Sequence, residues 1–304
     1  MEKPLRTLQH DAGMLLVCLI WGLNFTITKA AFHRLSPLAF TAIRYALACA
    51  LLVGVVRLVE GPDGRPRGAL FWRLVWMGFL GNTLYQITFV FGLDRSTATN
   101  SSLILSSSPA VVAVLAALLG FERATARTAL GIACGIAGVA VIVLARPGVG
   151  HAVRSGDLFT VAAVLMWSIY TVGLRRVESL SPLRITAWTT YTGTPGIIAA
   201  GIPDLLRVDF RTVDWKVWGA IGYAAALSLV VGYLLWNRSV RAVGETRTAI
   251  YMCVTPLFAV LIAWAVLGER PSPWHALGGA LVAAGVIMTR LGATPSLLAL
   301  TRGR

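Results

Sequence analysis

Charge is scarce in this chain of 304 residues: Asp, Glu, Lys and Arg together make up 13%. An ordinary soluble domain carries about 25%, so a simple soluble protein is excluded. Cysteine is scarcer still. Cys18, Cys49, Cys134 and Cys253 all fall in apolar stretches without paired spacing, which rules out a disulfide-stapled fold and leaves them as small packing residues. The four histidines, His10, His33, His151 and His275, lie in loops or near the ends of such stretches. With no His-Glu-x-x-His and no Gly-x-Ser-x-Gly, the sequence offers no catalytic constellation, and we expect no catalytic residue, metal or cofactor.

Apolar residues are what the chain has in excess, at 57%. A membrane-spanning helix needs about 20 mostly uncharged residues in one run, and ten runs meet that length approximately. They are Ala12 to Phe32, Leu38 to Val56, Leu70 to Gly92, Thr97 to Leu119, Ala126 to Leu144, Leu158 to Leu174, Leu183 to Ile202, Val217 to Trp236, Ala249 to Leu267 and Trp274 to Met288. The expected fold is therefore an all-α membrane protein with ten transmembrane helices. Ten such helices leave no room for a separate soluble domain, so any function resides in the bundle and the lipid bilayer is a partner.

The formal charge of +14 raises nucleic acid as a ligand, but that would need a basic face, whereas these cations are scattered through the loops. We expect no nucleic-acid role. Counted against the positive-inside rule, cytoplasmic termini place seventeen cations inward, among them Arg57, Arg65, Arg67, Arg73, Arg175, Arg176, Arg184, Arg238 and Arg241. Eight fall outward: Arg34, Arg95, Arg146, Arg154, Arg207, Arg211, Lys216 and Arg270. Lys29 and Arg44 lie within spans. Lys3 and Arg6 before the first run suggest a signal peptide, a reading rejected because the run has full span length and recurs later.

Sliding the chain along itself by 147 residues puts Pro109 on Pro256, Glu122-Arg123 on Glu269-Arg270, Gly131 on Gly278, and Ala137-Gly138-Val139 on Ala284-Gly285-Val286. With small shifts, Trp21 corresponds to Trp167 and Ser36-Pro37 to Ser181-Pro182. The chain reads as two five-helix copies, residues 1–147 and 148–304. An odd number of spans forces the second copy to enter from the opposite face, giving inverted repeats of the kind that secondary transporters use.

These residues carry a family resemblance. Trp21-Gly22-Leu23-Asn24-Phe25 with Lys29, Pro37 with Arg44-Tyr45, Ser108-Pro109, and Gly120-Phe121-Glu122-Arg123 before a Gly/Ala-rich helix resemble the drug/metabolite transporter superfamily in its ten-helix form with two EamA-type domains. The second copy departs from the Trp-Gly-x-Asn pattern, with Trp167-Ser168-Ile169-Tyr170. The resemblance implies movement of small metabolites, often export, across the bacterial inner membrane. Within the superfamily the chain looks most like exporters of aromatic and other neutral amino acids.

Candidate site residues follow from polarity inside the spans. Pro109 and Pro256 each remove a backbone hydrogen bond mid-span, creating kinks whose freed polar groups lipid cannot satisfy. Around them lie Asn100, Ser101, Ser102, Ser106, Ser107, Ser108, Tyr251 and Thr255. For any single serine we favour a hydroxyl bonded to its own helix; for the cluster we favour a cavity lining. Asn24, Asn82, Gln86 and Asn100 are span amides that must be paired or face water, and they suit the polar ends of an amino acid. Trp21, Tyr85, Trp167, Tyr170, Tyr233, Trp236 and Tyr251 could stack on a planar substrate or meet an ammonium, although bundle packing explains each one singly nearly as well. Trp72, Trp76, Trp215, Trp218 and Trp274 read as interface anchors at span ends. Structural roles are expected for Lys29, by snorkelling, and for Arg44.

The sequence-level mechanism is alternating access around a central cavity, with Trp167 and Tyr85 on the substrate side chain and Asn24, Asn82 and Asn100 on its polar ends. None of the thirteen carboxylates falls mid-span, and a buried acidic relay is the usual proton-coupling device; we therefore expect facilitated or gradient-driven transport. The alternatives are export of a purine, a cationic compound or another small metabolite, and a non-transporting receptor or scaffold. Gly131 and Gly135 have small-xxx-small spacing that would suit a homodimer, with packing inside a monomer the favoured explanation.

Overall fold

A computed structural model describes residues 2–61, 64–123, 125–144, 151–292 and 294–295, with side chains described for 11–61, 64–121, 125–144 and 155–289. The proposed boundary between residues 147 and 148 lies outside the described residues, as do the side chains of Lys3, Arg6, His10, Glu122, Arg123, Arg146, His151 and Arg154.

The described chain is almost entirely helical. Eight helices are long and apolar enough to cross a membrane: α1 (Asp11–Ala31), α2 (Pro37–Val59), α3 (Gly68–Arg95), α4 (Ala98–Leu118), α5 (Ala126–Leu144), α6 (Ser155–Val177), α8 (Trp215–Val243) and α9 (Glu245–Leu267). Two more helices, α7 (Pro182–Leu205) and α10 (Pro273–Gly292), complete the bundle but fall outside those eight. α7 is diluted by a threonine-rich run and by Pro195 and Pro203 within the helix. A two-residue antiparallel bridge joins Glu122–Arg123 to Thr294–Pro295.

Local sequence sets the helix starts. Ser36 and Ser181 each accept the amide N–H three residues on and precede a proline at the first helical position, at matching points of the two copies. Thr97 and Asp214 cap α4 and α8 in the same way.

Four helices lose regular geometry. α4 breaks at Ser106 and Ser107 and resumes at Ser108–Pro109, and α9 passes through a 3₁₀ turn, Ile250–Cys253, before resuming at Thr255–Pro256. Proline tolerates the first turn of a new segment because its missing N–H would lack a partner there anyway. α3 widens into a π-helix over Phe79–Leu84, and α8 does so over Ala224–Val231. Those two segments overlap at the 147-residue offset, and nothing in the sequence periodicity announces them.

Positions equivalent at that offset also touch. Gln86 Nε2 donates to the Tyr233 hydroxyl at 3.4 Å, and the Cys253 thiol reaches the Ser106 carbonyl at 3.6 Å. Helices α5 and α10 cross antiparallel on glycine: a Cβ on Gly131 would lie 2.5 Å from the Gly285 carbonyl oxygen, and one on Gly138 would lie 2.7 Å from that of Gly278. The Gly131–Gly135 face is thus covered within the chain, since a Cβ on Gly285 would lie 2.6 Å from the Gly135 amide nitrogen. Trp72, Trp76, Trp215, Trp218 and Trp274 are exposed, as anchors on the outside of a bundle must be.

Candidate functional site

The centre of the bundle is an aromatic cluster drawn from α1, α3, α6 and α8. Trp167 stands in the middle, with ring centroids 5.5 Å from Trp21, 5.0 Å from Tyr85, 5.3 Å from Tyr233, 5.2 Å from Trp236 and 5.4 Å from Tyr170. The Trp21–Trp167 and Trp167–Tyr233 pairs meet edge to face at 86° and 76°, the arrangement that the ring quadrupole favours. Trp21 is further fixed because its indole N–H donates to the Ser228 carbonyl at 3.0 Å, inside the π segment of α8.

Beside this cluster runs a narrow cleft of about 30 Å³, lined by Trp21, Asn24 and Phe25 of α1, Arg44 of α2, Tyr85, Gln86 and Phe89 of α3, Leu105 of α4 and Trp167 of α6. Ser228, Leu229 and Tyr233 of α8 and Met252 and Thr255 of α9 close its other side. That volume holds about two waters, whereas benzene needs a cavity of about 150 Å³. The bundle is therefore closed around the cleft, and a metabolite enters only if helices separate.

The expected site residues divide into three groups. Asn24, Tyr85, Gln86, Trp167, Tyr233 and Thr255 line the cleft. Tyr170 and Trp236 belong to the aromatic cluster behind it. The Tyr170 hydroxyl donates to Asn237 Oδ1 at 3.1 Å, and Asn237 Nδ2 donates to Thr186 Oγ1 at 2.8 Å. The third group lies elsewhere. Asn82 accepts from the Tyr45 hydroxyl and donates to the Thr189 carbonyl, both at 3.1 Å, joining α2, α3 and α7. Ser108 turns its hydroxyl to the Leu105 carbonyl at 2.6 Å, as Ser106 does to Leu103 and Ser107 to Ile104. These serines satisfy their own broken helix rather than line the cleft, while Ser101 faces Thr160 at 3.4 Å. Tyr251 donates to Asp11.

Asn100 belongs to a separate polar network at one end of the bundle. Its Nδ2 donates to Asp157 Oδ1 at 3.0 Å and to Ser96 Oγ at 3.1 Å, and its Oδ1 lies 2.7 Å from His275 Nε2. The Lys29 ammonium donates to the Leu93 and Ser96 carbonyls at the end of α3. Glu269 accepts the Ala98 and Thr99 amides, both at 2.9 Å, setting a carboxylate on the positive end of α4. Asp157 is at a span end yet fully buried. At the opposite end Arg175 pairs with Glu245 at 2.7 Å and Arg184 with Glu60 at 2.9 Å.

Arg44 is the cleft residue that sequence reasoning set aside as structural. It is 2% exposed, and its Nη2 donates to Gln86 Oε1. The signal was its depth: seven residues into α2 is about 10 Å from the helix start, too far for ready snorkelling.

The EamA-like transporter family matches the chain twice, over residues 10–144 and 154–291. The chain is 26% identical to the uncharacterized transporter YyaM of Bacillus subtilis (strain 168) over 271 residues, 88% of both chains. It is 24% identical to a probable amino-acid metabolite efflux pump of Salmonella typhimurium, covering 91% of this chain and 93% of that one. A probable terminal-alkyne amino-acid exporter of Streptantibioticus cattleyicolor is also 24% identical, over 91% of each chain. One solved crystal structure shares the fold with a TM-score of 0.67 at 19% identity, covering 93% of this chain and 97% of the other. Two matched repeats in a bundle of apolar helices make this chain a multi-pass membrane transporter, not an enzyme, and it belongs to the EamA-like transporter family.

Proposed function

We propose that the protein exports neutral, chiefly aromatic, amino acids across a bacterial inner membrane by alternating access between inverted five-helix halves, residues 1–147 and 148–304. The observation that carries this reading is the cleft, whose aromatic walls come from both halves: Trp21 and Tyr85 from one, Trp167 and Tyr233 from the other. The paired π segments, the broken α4 and α9, and the contacts between equivalent positions support a twofold pseudo-axis through it. On this reading α7 and α10 also span, giving ten helices with both termini cytoplasmic, and the protein works as a monomer because α10 covers the α5 glycine face. The names of two relatives, an amino-acid metabolite efflux pump and an amino-acid exporter, favour an amino-acid substrate. Transport is facilitated or driven by the substrate gradient.

Purified protein in liposomes, loaded with each of the twenty amino acids and several purines in a counterflow assay, tests the proposal. Exchange should be strongest for aromatic and other neutral amino acids. Exchange of purines alone, or binding without translocation, would sink it, and uphill uptake driven by a pH gradient alone would sink the coupling part.

A further inference from the structure

Arg44 presents a fully buried cation in the wall of the cleft without a counter-anion. Among the described residues it forms no ion pair; Gln86 accepts from one Nη, and Nε has no partner. The rings of Phe40 and Tyr45 lie 5.9 Å and 5.6 Å from the guanidinium carbon. The Gln86 amide ties α2 to α3 and two rings of α2 itself flank the guanidinium, but none of them neutralises the charge, and an apolar side chain of equal volume would pack there at lower desolvation cost. A further buried donor on the same cleft, Trp167 Nε1, also has no acceptor. The wall therefore offers donors and one positive charge. Among the described residues no carboxylate lines it.

We propose that the cleft selects its substrate by a carboxylate bound to Arg44, with the aromatic walls taking an attached ring and the amino group dispensable, so that aryl-alkyl monocarboxylates such as 2-oxo acids are substrates alongside amino acids. This rests on the cleft being the transport site. Nε and an Nη of Arg44 form a fork that matches two carboxylate oxygens. An ammonium in the same cleft meets ring faces, which attract it weakly, and the neutral polar groups of Asn24, Gln86, Ser228 and Thr255, and gains nothing from a wall that is itself positive.

Three probes that share one ring separate the contributions: phenylalanine, phenylpyruvate and phenethylamine, each measured by thermal shift on the detergent-purified protein and by counterflow in liposomes. Phenylalanine and phenylpyruvate should bind and exchange, and phenethylamine should bind at least tenfold more weakly. Arg44→Met should melt at or above the wild-type temperature yet bind both carboxylates at least tenfold more weakly; Arg44→Lys should fall between. Should Arg44→Met fail to fold, Arg44→Lys and the wild-type ranking of the probes decide. Phenethylamine binding as well as phenylalanine, failure of phenylpyruvate to bind, or undiminished carboxylate transport in Arg44→Met would overturn the role of Arg44 while leaving amino-acid export standing. If wild-type protein bound and carried none of the three, the aromatic substrate reading would fall with it.

Discussion

The ring of Tyr170 lies so close on the backbone of Gly81 that a Cβ there would sit 2.2 Å from Cδ2 and 2.5 Å from Cγ. Tyr170 lines a cavity of about 250 Å³ with Arg73, Trp76, Met77, Leu80, Leu115 and Arg176, and its other neighbours, Trp167 and Tyr233, line the cleft. Tyr170 thus touches residues of both spaces. Its seat depends on a glycine inside the π segment of α3.

Gly81→Ala should therefore lower the melting temperature. Alanine gains up to about 1 kcal/mol over glycine in a helix, but overpacking a rigid ring against backbone costs about 1–3 kcal/mol, so the clash wins. Counterflow of aromatic substrates should slow as well, because α3 and α6 must separate to accept the methyl. Gly219→Ala is the control, since a Cβ there meets nothing within 4 Å. Equal thermal and transport behaviour of the two variants would show that the ring is not held as described.

Tyr85→Ala should slow transport with little loss of folding, because Tyr85 is only partly buried and touches the cleft. Trp167→Ala should do more than slow transport. Trp167 is 1% exposed and packs on five other rings, so its removal should destabilise by about 3–5 kcal/mol. Trp167→Phe is the cleaner probe. It should keep most of the stability and reduce the exchange rate, read as the initial rate of counterflow per folded protein; an unchanged rate would remove Trp167 from the substrate path.

What could be read from the sequence follows from what is periodic or repeated. Apolar runs mark helices, and the 147-residue offset aligns the prolines, glycines and Ser-Pro caps that shape both copies. The π segments escape such reading because they keep the apolar composition of the helices that contain them. Serine direction escapes it for a different reason: Ser102, Ser106, Ser107 and Ser108 each bond a carbonyl three residues back on their own helix, and polarity alone does not say that they turn that way. Arg44 read as structural because its partner Gln86 lies 42 positions away, and only the folded chain shows that no carboxylate among the described residues joins them.

At the end that holds Asn100, hydrogen bonds join α3, α4, α6 and α10. Asn100→Asp would set a second carboxylate about 3 Å from the oxygen that Asp157 presents to Nδ2, and like charges at that distance repel strongly in a buried site. The closed arrangement should loosen. In a background with the four native cysteines replaced by alanine, Ser101→Cys reports this through its rate of reaction with a membrane-impermeant maleimide. Adding Asn100→Asp should accelerate labelling by reagent on the outer side, where the proposed cytoplasmic termini would put this end. An unchanged rate would show that the network does not hold the end closed, and labelling only from inside would reverse the orientation.

The antiparallel glycine seam separates two uses of one motif. If Gly131 and Gly138 serve packing inside the chain, Gly138→Val should destabilise the monomer, because a Cβ there would already lie 2.7 Å from the Gly278 carbonyl oxygen and 2.8 Å from Val282 Cγ2. Backbone on the facing helix cannot rotate away as a flexible side chain would, so α5 and α10 must move apart along their contact. A fall in melting temperature with unchanged mass in detergent, measured by light scattering, is the expected outcome. If the motif instead joined two copies of the chain, the same substitution would convert a dimer to a monomer and leave the melting of each copy nearly as it was. Cys134→Ala, three residues from Gly131 on the same helix but half-exposed rather than buried, should change neither quantity.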